Sequence, residues 1–160
     1  MSITTRKARL SDADALSDLS MRSKQSNGYD DAFMEACRDE LTVREEDFRT
    51  TDYWVAVDDG ICGMVGLMPD ADGKAAEVCA LFIDPDHQRK GIGQILWDIV
   101  VEDAKSRDLA SLYLYADPGA TAFYEAQGLE TIGQEPSGSI PGRTLPHMEL
   151  KLVPDLKVSD

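Results

Sequence analysis

The chain is poor in basic residues: 16 Lys and Arg stand against 30 Asp and Glu, giving a net charge of −14 over 160 residues. A protein that binds nucleic acid without regard to sequence needs a basic face, so a nucleic-acid partner is not expected. Anionic membrane surfaces are disfavoured for the same reason. No apolar run approaches the ~18 residues that a membrane span requires, and the charged start MSITTRKARL is not followed by the apolar core of a secretion signal. Cysteine is scarce. Cys37, Cys62 and Cys79 show no CxxC spacing and sit among apolar residues, so buried free thiols and a cytoplasmic setting are expected. His87 and His147 are the only histidines. Neither has ligand spacing, and no HExxH or acidic calcium loop occurs, so no metal is expected and both histidines read as surface residues. Asn27 is the only asparagine.

With 42% apolar residues, the chain can bury a real core in one domain. Ile3–Leu10 reads as an edge strand. Ser11-Asp12-Ala13-Asp14 then caps a first amphipathic helix, which Ser26-Asn27-Gly28 ends. Tyr29–Arg49 reads as mostly helical and carries a run of acids, either a solvated face or a wall that attracts an amine. Tyr53–Val57 and Ile61–Met68 flank an Asp-Gly turn, a hairpin signal. Ala75–Ile83 is nearly all apolar and reads as a third, central strand covered on both faces. Ile92, Ile95, Leu96, Ile99, Val100 and Ala104 form a helical stripe, and a strand at Ala110–Ala116 should run parallel to the one before that helix. A short helix follows from Asp117-Pro118 to Gln127, then a strand at Leu129–Gly133, a loop at Gln134–Pro146 and a last strand at Pro146–Val153. The expected architecture is one mixed α/β (α+β) domain over 3–153 with a polar tail at 154–160.

The chain is organised around Gln88-Arg89-Lys90-Gly91-Ile92-Gly93, which joins the apolar third strand to the long helix. Such a turn presents unpaired backbone N–H groups and the positive end of a helix dipole, and its natural occupant is a phosphate. Arg89 and Lys90 add a basic spot to an acidic molecule. The dinucleotide fingerprint fails, because Leu96 stands where its third glycine belongs. A Walker loop fails as well, since Gly73-Lys74 is followed by Ala75.

What remains resembles the Gcn5-related N-acetyltransferase (GNAT) superfamily. The matching residues are Leu81-Phe82-Ile83-Asp84-Pro85-x-x-Gln88-Arg89-Lys90-Gly91-Ile92-Gly93, and then Ala120-x-x-Phe123-Tyr124-Glu125-x-x-Gly128-Leu129. The resemblance extends in element order over about residues 3–153. It implies a central mixed, mostly antiparallel sheet of about seven strands with helices on both faces, splayed between the fourth and fifth strands. It also implies acetyl-CoA as acyl donor. The donor would be held by the main chain of Leu81, Phe82 and Ile83, by the turn residues Gln88, Arg89, Lys90, Gly91, Ile92, Gly93 and Gln94, and by Phe123. Tyr124 resembles the tyrosine that protonates the departing thiolate. Asp117 stands where the superfamily often has Asn.

Glu77 interrupts an apolar strand, so its carboxylate should be desolvated and its pKa raised toward that of a general base. The alternative is an ion pair with a neighbouring base. Its place eleven residues before Gln88 matches the catalytic glutamate of histone-modifying superfamily members. Tyr29, Glu35, Glu40, Arg143 and His147 are candidate contacts for an amine acceptor, possibly cationic. The expected activity is transfer of acetyl from acetyl-CoA to a primary amine of a small molecule or peptide by direct attack, in a monomer or homodimer. The alternative is a non-catalytic CoA-binding sensor or partner subunit. A weaker third reading makes the acidic Tyr29–Arg49 face a protein-interaction surface.

Overall fold

The computed structural model describes residues 2–152; the tail expected at 154–160 lies outside them. Seven strands form one sheet: β1 (Thr4–Lys7), β2 (Asp52–Val57), β3 (Ile61–Pro69), β4 (Ala75–Ile83), β5 (Ser111–Tyr115), β6 (Glu130–Pro136) and β7 (Thr144–Lys151). Their spatial order is β1-β2-β3-β4-β5-β7-β6. Every pairing is antiparallel except β4–β5. The helices are α1 (Ala13–Gln25), α2 (Asp31–Leu41), α3 (Ile92–Ser106) and α4 (Thr121–Ala126). The expected 53–68 hairpin and the parallel pair flanking α3 are both present.

The two faces of the sheet bury separate cores. On one, Ile92, Leu96, Trp97, Val100 and Ala104 of α3 pack on Val65, Leu67, Ala76, Val78, Leu112 and Leu114. This is the predicted stripe, and each fully buried side chain contributes roughly 1.5–3 kcal/mol. Ile95 of that stripe is exposed instead. On the other face Ala13, Leu16 and Leu19 of α1 pack on Tyr53, Val55 and Met64. α3 lies close against β3 at Gly63, where an added Cβ would stand 2.9 Å from Ile92 Cγ2 and 3.1 Å from Leu96 Cδ1.

Four expectations need correction. The strand buried throughout is β3 over 62–67, whereas Cys79–Ile83 of β4 are partly open. β5 pairs with β4 only from Ala75↔Ser111 to Glu77↔Tyr113, so the far end of β4 borders a gap, which is the expected splay between the fourth and fifth strands. The 29–49 segment is not one helix: α2 ends at Leu41 and a separate 3-10 turn spans Glu45–Arg49. The 134–146 loop is shorter, because β6 runs on to Pro136 and β7 begins at Thr144. Finally, Cys79 is exposed while Cys37 and Cys62 are buried. The β3–β4 register skips Cys79, from Gly66↔Ala80 to Leu67↔Val78. This bulge moves the strand's faces out of alternation.

Candidate active site

The divergence of β4 from β5 opens two adjoining cavities. One, of about 470 Å³, runs from Leu81 and Ile83 past the 88–94 turn to Phe123 and Tyr124. The other, of about 170 Å³, lies between Val78–Phe82 of β4 and Leu114–Asp117 of β5. Ser23, Leu81, Ala120 and Tyr124 line both, so the cavities meet at these four residues.

At the outer end is the turn. Gly91 is the residue before α3 and sits at φ +78°, a left-handed conformation that glycine adopts freely. Arg89 is also left-handed at φ +67°, which costs a non-glycine residue roughly 1–2 kcal/mol. The first helical bond is Ile95 N–H to Gly91 C=O, at 3.1 Å. The N–H groups of Ile92, Gly93 and Gln94 precede it and are left to face an incoming anion. At Gly93 an added Cβ would meet only Phe123, at 3.8 Å, so packing within the protein does not demand glycine there. Gln88, Arg89 and Gly91 are exposed at the cavity wall. Gln94 also lines it, but its amide exchanges hydrogen bonds with Gln127 (3.0 and 2.8 Å) and ties α3 to the end of α4.

Along the wall, main-chain direction alternates. Asp84 N–H bonds Cys62 C=O in β3 at 2.8 Å, while Ile83 N–H turns away to Ser23 Oγ at 3.3 Å. By antiparallel alternation Leu81 shares the direction of Ile83. Leu81 and Ile83 thus present main-chain groups to the gap, and Phe82 packs its side chain into the α1 core. Ser23 was missed in the sequence. The only available signal was a small polar residue on the apolar face of α1. Arg22 of α1 anchors the entry to the turn through Asp84 at 2.9 Å.

Where the cavities meet, the Tyr124 ring stands edge-on to Trp97 (centroids 5.8 Å) and to Phe123 (5.3 Å). Its hydroxyl has no hydrogen-bond partner among the described residues. Burial, with the nearby charge of Asp117 adding to it, pushes the phenol up to about 12. Where the gap begins, Glu77 is level with Tyr113 in the last matched pair of β4 and β5, and it lines neither cavity. It has no ion pair among the described residues, so the neighbouring-base alternative is not realised. Desolvation first, and then the charge of Asp70, raises its pKa. Asp70 accepts from Tyr113 Oη at 2.6 Å. Cys79, next to the gap, has its thiol raised to about 12 by crowding and by Glu77, so it is not a thiolate nucleophile near neutral pH.

The candidate acceptor residues separate into groups. Glu35 faces outward with Arg38 at 3.0 Å. Glu40 accepts from Ser139 Oγ at 2.6 Å and holds the 137–143 connection on α2. Tyr29 and Arg143 converge on Asp117: Tyr29 Oη donates to Asp117 Oδ2 at 2.7 Å, and Arg143 Nη2 donates to Tyr29 Oη at 2.7 Å. Both histidines, expected at the surface, are partly buried. His147 packs against Tyr115 (4.7 Å) and Tyr113 (5.8 Å), and His87 Nε2 lies 3.2 Å from Asp58. No cluster of metal-ligating residues occurs among the described residues, and no helix among them is long and apolar enough to cross a membrane.

Comparison with known proteins agrees with this fold. The family model described as "Acetyltransferase (GNAT) family" matches residues 14–129. Human N-acetyltransferase 8 is 32% identical over 92 residues, covering 51% of this chain and 40% of that protein's length. The PaiA N-acetyltransferase of Thermoplasma acidophilum, solved in complex with coenzyme A, superposes with a TM-score of 0.77 at 22% identity over 94% of this chain and 99% of that one. The ribosomal-protein-S18-alanine N-acetyltransferase of Escherichia coli superposes with a TM-score of 0.72 at 18% identity over 98% and 97% of the two chains. With the sheet order and the splayed β4–β5 pair, the matched family model establishes that the chain belongs to the Acetyltransferase (GNAT) family.

Proposed function

We propose that the protein is an acyl-CoA-dependent N-acyltransferase that moves acetyl from acetyl-CoA to a primary amine by direct attack. Residues 3–153 are read as its single domain. The observation that carries the reading is the pair of joined cavities. They connect an anion-seeking turn to a protonated phenol, and an unpaired, desolvated carboxylate, Glu77, stands one residue before the Val78 that lines the smaller cavity. That the PaiA N-acetyltransferase was solved in complex with coenzyme A supports an acyl-CoA donor. Its pyrophosphate would lie on the N–H groups of Ile92–Gln94 with Arg89 and Lys90 nearby, and its arm along Leu81 and Ile83.

In this reading Glu77 takes the proton of the acceptor ammonium, directly or through water. The amine nitrogen bonds to the thioester carbonyl carbon and the C–S bond breaks; Tyr124 hydrogen-bonds the departing sulfur, and the surplus proton left on the nitrogen passes through water to the thiolate, giving the neutral amide and the CoA thiol. No enzyme nucleophile takes part. Glu77 and Asp70 favour a cationic amine at this end. Three free thiols and the absence of a spanning helix among the described residues suit a cytoplasmic enzyme.

Two measurements test this together. Excess acetyl-CoA should raise the melting temperature, because a ligand that binds only the native state stabilises it. Thiol release should then appear with some members of an amine panel. An unmoved melting temperature counts against the donor site. Donor binding without thiol release from any amine would leave a CoA-binding sensor.

A further inference from the structure

Asp117 gathers more positive charge than one carboxylate can neutralise. Its Oδ2 lies 3.3 Å from Lys24 Nζ and 3.4 Å from Arg143 Nη2, and also accepts from Tyr29 Oη. Its Oδ1 accepts from Gly119 N–H at 3.0 Å. Three donors therefore crowd Oδ2, which has two lone-pair positions, while one reaches Oδ1. Two cations and one anion leave a surplus positive charge, and the Lys24 and Arg143 side chains are only 14% and 17% exposed. Lys24 and the Nε and Nη1 of Arg143 keep donors that no described residue satisfies.

Both cations are also held in place. Tyr29 and Phe33 stack at 4.0 Å and 7°. Arg143 Cζ lies 5.3 and 5.0 Å from their ring centroids, and Lys24 Nζ lies 5.3 and 5.9 Å from them. A guanidinium fixed against aromatic rings presents its remaining N–H groups in a fork that suits a carboxylate. Lys24 and Asp117 line the 170 Å³ cavity that also touches Tyr124. In a molecule of net charge −14, this is a positive spot at the end of the gap opposite Glu77 and Asp70. Tyr113, Tyr115 and Asp117 alternate along one face of β5 and its extension, which puts the acidic and basic ends about 13 Å apart before side-chain reach is counted.

We infer that Lys24 and Arg143 recognise a carboxylate on the acceptor, so that the substrate carries an amine at one end and a carboxylate at the other, as in an ω-amino acid or a short peptide. This rests on the transferase reading above. Glu77 receives the amine end, while Arg143 and Lys24 share Asp117 with the incoming carboxylate. Asp in place of Asn at 117 fits this arrangement. A neutral amide would leave two neighbouring cations without a counterion whenever the acceptor is absent.

Matched acceptors test the inference: 6-aminohexanoate against 1-aminohexane, and glycylglycine against glycylglycinamide. Thiol release gives kcat/KM, and calorimetry on the CoA-loaded protein gives binding. The carboxylate member of each pair should be preferred at least tenfold, and that ratio should fall toward one in Lys24→Gln and Arg143→Gln. Equal use of both members overturns the inference while leaving the transferase intact. So does a ratio that the two substitutions leave unchanged, since a purely structural clasp would depress both members alike. Preferential binding of the carboxylate members without turnover would support the anion site and remove the transferase reading. If no probe binds or reacts, the inference fails.

Discussion

Replacing Tyr124 with Phe removes one hydroxyl and keeps the ring between Trp97 and Phe123. The size of the effect depends on what that hydroxyl does. The phenol is pushed up to about 12, while an ordinary alkyl thiol ionises near ~8.5. Complete proton transfer to the leaving sulfur would therefore be uphill, because burial holds the phenol above an ordinary thiol. The hydroxyl is better suited to stabilising the developing thiolate by a hydrogen bond. Such a bond to a charged group is worth about 1.5–3 kcal/mol, which corresponds to a loss of about 10- to 150-fold in kcat. Thiol release under saturating amine should show that loss in Tyr124→Phe, with acetyl-CoA still raising the melting temperature. Because the hydroxyl has no partner among the described residues, the apo melting temperature should fall by no more than about 2 °C. The phenol stays protonated well above neutrality, so it should cause no fall in wild-type kcat between pH 8 and 10. A loss below threefold would refute the role, and a loss near 10⁴ would refute the hydrogen-bond account of it.

Glu77→Gln should lower kcat by about 10²–10⁴-fold if the carboxylate is the base, and unchanged turnover would remove it from the mechanism. The same variant has a stability signature. Glu77 has its folded pKa raised, so its favourable contribution is present below its unfolded pKa of about 4.3 and is lost as pH rises through the folded value. Gln mimics the protonated acid. The variant should match wild type near pH 4 and melt higher at pH 8; a variant that melts lower at pH 8 would show that Glu77 has a stabilising partner. Gly63→Ala tests the packing of α3. The new Cβ would stand 2.9 Å from Ile92 Cγ2 and 3.3 Å from Ile83 Cδ1, an overpacking worth about 1–3 kcal/mol. That corresponds to a fall of about 2–12 °C in melting temperature at ~2–4 °C per kcal/mol. Acetyl-CoA affinity should fall with it, because Ile92 opens the helix behind the turn, and an unchanged melting temperature would refute the close approach.

The sequence by itself determined what depends on near neighbours. The α3 stripe, the Asp-Gly hairpin and the 88–93 turn all follow from spacing and backbone chemistry within a few residues. The oddity of Glu77 was also visible, as one acid in an apolar strand. Only the tertiary structure decided what depends on distant residues meeting. The resemblance implied a splay between the fourth and fifth strands, but no local pattern shows that β5 leaves β4 after Tyr113, so a strand that reads as fully covered is open from Cys79 onward. The β3–β4 bulge arises between two strands, and it brings an apolar-flanked cysteine into the open. The acids of α2 drew attention as a wall, yet Glu35 faces solvent and Glu40 pins a loop. The charge at the candidate acceptor end comes from Lys24, Asp117 and Arg143, which lie far apart in the chain and have no periodicity linking them. Electrostatics acts through space, so the sequence could supply the charges but not their neighbours. At the Gln88–Gly93 turn the two agree, because a helix start and its glycines are local. What the turn leads to was fixed by the divergence of β4 and β5.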